Sequence, residues 1–308
     1  MKDISPVKGT HSTVSGDGIL YVDRKSGDIH NEKVPGIRVI KWLYYTKSGN
    51  FMRKLIKQKL FSSLCGLFMN TRISAERIDA FVSTYNIDMD EFEDKQYHSF
   101  NDFFTRKLKE GKRDIRKDRI ISPADGKILS FTGIDISRII DIKGERLSLK
   151  DIVNNSEEIE QYDGGDMFIV RVTPSDYHRF HFPLECLPDK HYSIKGKYHT
   201  VSPLAIKKHP KIYSLNRRDV TTLTPYAIMI EIGAALVGSI VQTFTPGKRY
   251  MPGDEKGYFK FGGSTVILVF KAGKIIPDSD ILSNTEKGYE TSVHMGESIA
   301  ICNNANDI

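Results

Sequence analysis

The chain has 308 residues, 39% hydrophobic and 27% charged, with 45 Lys and Arg against 39 Asp and Glu for a net charge of +6. That length supports one sizeable core with a helical appendage or two small domains, and the balance excludes wholesale disorder. No apolar run reaches the roughly 20 residues needed to cross a bilayer, the N-terminus shows no signal-peptide core, and Cys65, Cys186 and Cys302 form no CxxC or zinc spacing, as expected of reduced thiols.

Residues before about Val34 read as a turn-rich lead-in with one short hairpin, YVDRKSGDIH, turning around Lys25-Ser26-Gly27-Asp28. The positive charge is local. From Lys33 to Ala75 there are nine basic residues and no Asp or Glu, while outside this span 36 basic residues face 39 acidic ones. Such a segment favours an anionic partner, lipid or nucleic acid. Ile37 to Met69 reads as two helices broken near Ser48-Gly49-Asn50. In the second, Phe51, Met52, Leu55, Ile56 and Leu60 gather on one side and Arg53, Lys54 and Lys57 on the other, with Lys59 breaking the pattern. The aromatics here read as apolar helix faces rather than stacking platforms, which disfavours nucleic acid. Ser74 reads as the N-cap of a helix over Ala75–Tyr85, and Ser99 with Asp102 as a capping-box-like start for NDFFTRKL.

After Gly111 short β-rich runs follow one another: KILSFTGI, MFIVRV, DYHRFHF, DVTTLT, AIMIEIGAALVGSIVQTF and TVILVF. The spacing predicts an α+β protein, with N-terminal helices packed on a compact, mostly antiparallel β domain, barrel-like or sandwich-like. The expected organisation is a lead-in over 1–33, a helical, basic region over 34–111, and a β-rich domain over 112–308.

Three stretches in the β domain carry chemistry. In SPADGKI, Pro123 and Gly126 shape a tight turn with Asp125 at its tip; alone, Asp125 reads as an Asx-turn. In DYHRFHFP, His178 and His181 lie three apart, so a regular strand puts them on opposite faces, and a bulge or strand end is needed to aim both into one pocket. As a metal site this pair lacks a further ligand of suitable spacing. In FGGSTVILVF, Gly262 and Gly263 leave the carbonyl of Gly263 open to attack, and Thr265 starts a stiff strand. Ser264 is then either a strand start or a nucleophile whose Oγ attacks that carbonyl in an N→O acyl shift, which needs a base and an acid to orient it. The residues alone leave both readings open.

Taken in order, SFNDFFTRKL, SPADGKI, DYHRFHFP, IGAALVGSI and GGSTVI resemble the phosphatidylserine decarboxylases, over nearly the whole chain. The lead-in YVDRKSGDI and the basic helices look like the family's bacterial members. The resemblance implies a pyruvoyl enzyme that cleaves itself between Gly263 and Ser264. The products are a β chain, Met1–Gly263, and a small α chain whose first residue, Ser264, becomes the covalent pyruvoyl cofactor. Asp125, His181 and Ser264 are implied as the self-cleavage triad, and His178 as a participant in decarboxylation. Many members carry leucine where this chain has Gly262, but Gly-Gly-Ser-Thr also occurs among them. The implied reaction turns phosphatidylserine into phosphatidylethanolamine and CO2 through a Schiff base on the pyruvoyl carbonyl, which acts as the electron sink. The expected partners are an anionic phospholipid membrane, phosphatidylserine, the chain's own two fragments and a second copy in a homodimer, with no nucleic acid and no metal. The expected place is the cytoplasmic side of the cell membrane, held peripherally through Arg53, Lys54, Lys57 and Lys59. Two other readings stand beside this one: a zinc-dependent hydrolase using His178, His181 and Asp125 on a β scaffold, and a non-enzymatic membrane-surface module.

Overall fold

The computed structural model describes residues 14–15, 18–34, 36–56, 59–142, 145–154, 156–234, 240–262 and 264–303. The expectations placed on Gly263, on Lys57 and on 235–239 of IGAALVGSI lie outside the described residues.

The lead-in forms β1 (Val14–Ser15), β2 (Gly18–Val22) and β3 (Ile29–Lys33). The expected hairpin is β2–β3, and Asp23 pins its turn by accepting the Gly27 amide on its carbonyl at 2.8 Å and the Ser26 amide on its carboxylate at 2.9 Å. The helical residues that follow are α1 (Ile37–Tyr45), α2 (Lys47–Ile56) and α3 (Lys59–Met69), and residues 57 and 58 between the last two lie outside the described residues. The first break falls at Thr46, which is extended; its hydroxyl donates to the Trp42 carbonyl at 2.7 Å and accepts the Gly49 amide at 3.0 Å, starting α2. Gly49 is not a helix breaker here. It packs on α1, where a Cβ would run into the Trp42 carbonyl.

Next come α4 (Arg72–Ala75), α5 (Ile78–Tyr85) and α6 (Phe100–Phe104). Ser74 is not an N-cap. It is buried within α4, donates to the Thr71 carbonyl at 2.6 Å and accepts the Phe100 amide at 2.9 Å, tying α4 to α6. Ser99 does cap α6, accepting the Asp102 amide at 3.2 Å, but the Asp102 carboxylate turns to the His98 amide at 3.0 Å, so only half of a capping box forms.

The remaining strands are β4 (Ile120–Ile121), β5 (Gly126–Phe131), β6 (Ile140–Ile142), β7 (Glu145–Leu147), β8 (Asp166–Val172), β9 (Arg179–His181), β10 (Leu187–Ile194), β11 (Arg218–Thr224), β12 (Ala227–Gly233), β13 (Ile240–Gln242), β14 (Glu255–Phe259), β15 (Ser264–Phe270), β16 (Ile275–Pro277), β17 (Glu290–Val293) and β18 (Ser298–Cys302). Ten strands make one sheet in the order β1-β2-β17-β5-β8-β15-β12-β11-β10, with β3 also beside β2. Every pairing in it is antiparallel except β2 with β17. The sheet is open, with β10 at an edge, so of the two expected β architectures the sandwich-like one is realised and the barrel is not.

Both faces of this sheet are covered. Met167 and Ile169 of β8, with Ile267 and Val269 of β15, face a layer of helices that includes α1 through Leu43 and Tyr44. Phe168, Val170, Leu268 and Phe270 face the small sheets β13-β14-β9 and β16-β18-β4. This is why MFIVRV and TVILVF read as mostly apolar runs rather than clean alternations: all seven residues of β8, of β12 and of β15 are buried. β15 lies between β8 and β12, and its first residue, Ser264, is paired with Val172 on one side and Gly233 on the other.

Candidate active site

Ser264 is 1% exposed and, among the described residues, its Oγ has no hydrogen-bond partner. A buried hydroxyl left unpaired costs about 1–3 kcal/mol, so a strand start alone gives no reason to keep serine here. Gly262, two residues before it, has a φ of 140°, a backbone conformation that favours glycine. The segment leading to it is clamped by α6. The Asn101 side-chain carbonyl accepts the Phe261 amide at 2.9 Å, and the Phe261 ring meets Phe100 and Phe104 edge-on with centroids 5.1 Å apart in each case. A residue of the helical region thus sets the backbone next to Ser264.

β9 contains only Arg179–His181, so His178 falls in the turn that leaves β8, where strand alternation does not apply. The strand end that the sequence demanded for two inward histidines is present. The His178 ring lies against Phe104 at 3.7 Å between centroids, and its Nδ1 is 2.8 Å from the Asp176 carbonyl. A carbonyl only accepts, so Nδ1 carries the proton and Nε2 the lone pair. Nε2 is buried without a hydrogen bond, although the Gly262 backbone lies near enough to act on the charge of the ring. Burial first, then the Arg106 charge, push the imidazole down to about 3. His178 is therefore neutral and only weakly basic, with Nε2 beside the segment before Ser264.

Asp125 is not a local Asx-turn. One carboxylate oxygen accepts the Met295 amide at 2.7 Å; the other accepts Arg113 Nη2 at 2.9 Å and lies 3.6 Å from His294 Nδ1. Burial would raise its pKa, but the His294 contact, the Arg113 charge and the Met295 amide outweigh it and bring the group to about 2. Asp125 is thus a fixed carboxylate, and it holds the His294 imidazole above its ordinary pKa. His181 donates from Nδ1 to the Gly253 carbonyl at 2.9 Å, which leaves Nε2 to accept the Tyr177 hydroxyl at 3.2 Å. Burial lowers its pKa as well. The turn at Asp125 and strand β9 are joined through backbone, the His181 amide donating to the Pro123 carbonyl at 2.8 Å. Among the described residues no hydrogen bond links Asp125, His181 and Ser264 to one another. A cavity of about 280 Å³ opens on His181 and Tyr177, rimmed by Lys107, Lys109 and Arg113.

Sequence reasoning passed over Tyr177, Arg106, Arg113 and His294. The first two stand inside the recognised stretches DYHRFHFP and SFNDFFTRKL, where a buried hydroxyl and a buried cation were visible as residue types. Arg113 and His294 reach Asp125 only through the fold and left no local signal. Among the described residues no group of three or more His, Cys, Asp or Glu side chains is placed to hold a metal ion, so the zinc reading finds no donor set. Nor is any described helix long and apolar enough to cross a membrane.

A family model described as phosphatidylserine decarboxylase matches residues 100–301. Curated relatives named phosphatidylserine decarboxylase proenzyme align along most of the chain. The Clostridium tetani protein is 43% identical over 289 residues, covering 91% of this chain and 97% of the relative. That of Clostridium botulinum strain Hall is 41% identical over 292 residues, 92% of this chain and 99% of the relative. That of Clostridium novyi is 42% identical over 290 residues, 91% and 98% respectively.

Proposed function

The chain belongs to the phosphatidylserine decarboxylase family, and on that premise we propose that it converts phosphatidylserine to phosphatidylethanolamine and CO2 with a pyruvoyl group made from its own Ser264. The observation that carries this reading is the buried Ser264 Oγ at the start of β15, without a partner among the described residues, with Gly262 two residues earlier at φ 140°. In self-cleavage, Ser264 Oγ attacks the carbonyl carbon of Gly263 and the amide bond is exchanged for an ester. Loss of the Ser264 α-proton then expels the Gly263 carboxylate, and hydrolysis releases ammonia and leaves the pyruvoyl group.

His181 is the base for the Oγ proton; its Nε2 lone pair, engaged by Tyr177, has to exchange that hydroxyl for Ser264. Asp125 stays ionised and supplies the negative charge near His181, whose protonated form it favours. After CO2 leaves, the carbon that carried it takes up one proton that comes from solvent, and His178, whose buried Nε2 faces the segment before Ser264, is the group that relays it. When formed, the pyruvoyl carbonyl supplies the electron sink for that carbon. Phe104 and Phe261 make the surroundings apolar, which disfavours a carboxylate relative to CO2. The small fragment stays bound after cleavage, because β15 is hydrogen-bonded to β8 and β12 along its whole length.

The test is CO2 release from phosphatidylserine by the purified protein. Hydroxylamine or borohydride, which attack carbonyls and imines, abolish it, and a chelator leaves it unchanged. No CO2 release, with chelator-sensitive hydrolysis of a lipid ester in its place, would revive the zinc hydrolase.

The same reading places the protein peripherally on the cytoplasmic face of the cell membrane, docked through 34–111; the homodimer belongs to it too. Among the described residues, nine of the fourteen exposed large apolar side chains, Phe51, Leu64, Leu67 and Ile73 among them, fall between Val39 and Ile73, inside the acid-free segment. Exposed apolar surface flanked by cations suits an anionic bilayer, where each basic residue contributes about 1 kcal/mol. Of the four cations chosen for this role, Lys54 is exposed, Arg53 is half-buried with its guanidinium 4.8 Å over the Tyr44 ring, Lys57 lies outside the described residues, and Lys59 begins α3. Changing Arg53, Lys54, Lys57 and Lys59 to Gln weakens sedimentation with phosphatidylserine-containing liposomes by at least about tenfold and leaves self-cleavage intact. Undiminished sedimentation sinks the docking surface.

A further inference from the structure

We propose that Arg106 is a positioning residue for this site: it fixes the 173–178 turn so that His178 keeps its proton on Nδ1 and presents an open Nε2 lone pair to the segment before Ser264. The inference rests on His178 belonging to the reaction site, but its first readout needs no turnover.

Arg106 follows α6 and is 2% exposed. Only one of its three guanidinium nitrogens is engaged: Nη2 donates to the carbonyls of Ser175 and Asp176 at 3.1 and 3.3 Å. Nε and Nη1 are buried without hydrogen-bond partners among the described residues. The group lies instead against two rings, 4.2 Å from the Phe92 centroid and 4.8 Å from that of Phe103. A buried arginine kept for structure alone has its donors satisfied, since each unmet donor costs stability. This one is held by aromatic faces, which fix the plane of the cation, and by a single carbonyl pair.

That carbonyl pair is the link to chemistry. The Asp176 carbonyl, which Arg106 reaches at 3.3 Å, is the acceptor for His178 Nδ1–H at 2.8 Å. A carbonyl has two lone pairs and can take both donors at once. Arg106 therefore orients the acceptor that selects the tautomer. It also sets the charge around the ring. Two charged groups act on His178: Arg106 from the segment after α6, and the Asp176 carboxylate from its own turn. They oppose each other. The Asp176 carboxylate is in turn drawn away, accepting the Thr173 amide at 2.7 Å and lying 3.7 Å from Lys127 of β5. Burial keeps the ring neutral and the Arg106 charge adds to it; without Arg106 the pull of the carboxylate is unopposed and the ring takes a proton more readily.

The test uses the full chain with Ser264→Ala, which keeps the chain whole, and ¹⁵N NMR of the imidazole side chains. In the parent, His178 is a neutral Nδ1–H tautomer at neutral pH and remains so down to about pH 5. Adding Arg106→Gln raises its titration midpoint by at least about one pH unit, whereas Arg106→Lys, which keeps the charge, leaves it near the parent. A His178 with its proton on Nε2 in the parent overturns the proposal, as does an unchanged midpoint in Arg106→Gln. Should Arg106→Gln not fold, the parent tautomer and the Arg106→Lys titration still decide. In the cleaved enzyme with native Ser264, Arg106→Gln moves the acid limb of CO2 release to higher pH by the same amount, a shift that a merely structural loss would not produce. If the wild type releases no CO2, the decarboxylase reading fails while the NMR result stands on its own.

Discussion

Ser264→Ala purifies as one chain of 35.0 kDa, while the wild type purifies as two fragments, residues 1–263 and a small one whose N-terminus at 264 is blocked. Intact mass spectrometry separates these outcomes directly. CO2 release in the variant falls by more than about a thousandfold, to background, because loss of the group that makes the reactive carbonyl cannot be compensated by binding alone. The variant also folds at least as well as the parent. Its Oγ is a buried hydroxyl with no partner, so removing it relieves a desolvation cost of about 1–3 kcal/mol. A residue whose removal stabilises the fold and abolishes the activity is one kept for chemistry. An uncleaved wild type, or an active Ser264→Ala, would sink the pyruvoyl reading.

The second large effect is on stability. Lys256→Met, measured by urea melts in the uncleaved Ser264→Ala chain, loses about 3–5 kcal/mol, and adding Glu231→Leu restores most of it. Lys256 of β14 and Glu231 of β12 are both fully buried, with Nζ 2.8 Å from one carboxylate oxygen and 3.1 Å from the side-chain carbonyl of Gln242 on β13. Nζ also lies 4.8 Å over the Phe244 ring and 5.6 Å over that of Phe180. Burial pushes the lysine pKa down and the glutamate pKa up, so each charge depends on the other. Asp219 is opposite Glu231 across the β11–β12 ladder. Taking away the lysine alone leaves two buried carboxylates without their cation; taking away both partners leaves an apolar contact. A single-variant loss under about 1 kcal/mol would show that water relaxes the site and that the pair is not a lock.

The position of the pair connects it to the reaction. Glu231 is opposite Val266 on β15, and Gly233, two residues on, is opposite Ser264. Glu231 and Ser264 therefore face the same side of the sheet, one step apart. β14 pairs with β9, which carries His181, and its chain runs on towards Phe261 and Gly262. The buried pair thus fastens the sheet bearing His181 to the sheet bearing Ser264.

Much of this was legible in the chain. The lead-in hairpin, the Ser99 cap and each of the β-rich runs announced themselves through turn residues and local apolar pattern, because those signals act within a few residues. The errors were of one kind. Gly49 looked like a breaker and is a packing glycine; Ser74 looked like a cap and is a tie between α4 and α6. In both, a residue with a local preference is used by a partner far away in sequence. Asp125 misled in the same way, since its hydrogen bonds go to Met295 and Arg113 rather than to its own turn.

By itself the sequence determined which residue types were available for the reaction: a serine after two glycines, two histidines three apart and an aspartate at a turn tip. It also determined the acid-free basic segment, because charge composition needs no fold to be read. Only the tertiary structure decided which lone pairs are open. His178 and His181 look alike in DYHRFHFP, yet one keeps its Nε2 free beside Gly262 and the other has it capped by Tyr177. Protonation and hydrogen-bond partnership depend on burial and on charges brought from across the chain. Those are properties of a packed interior that no stretch of sequence contains.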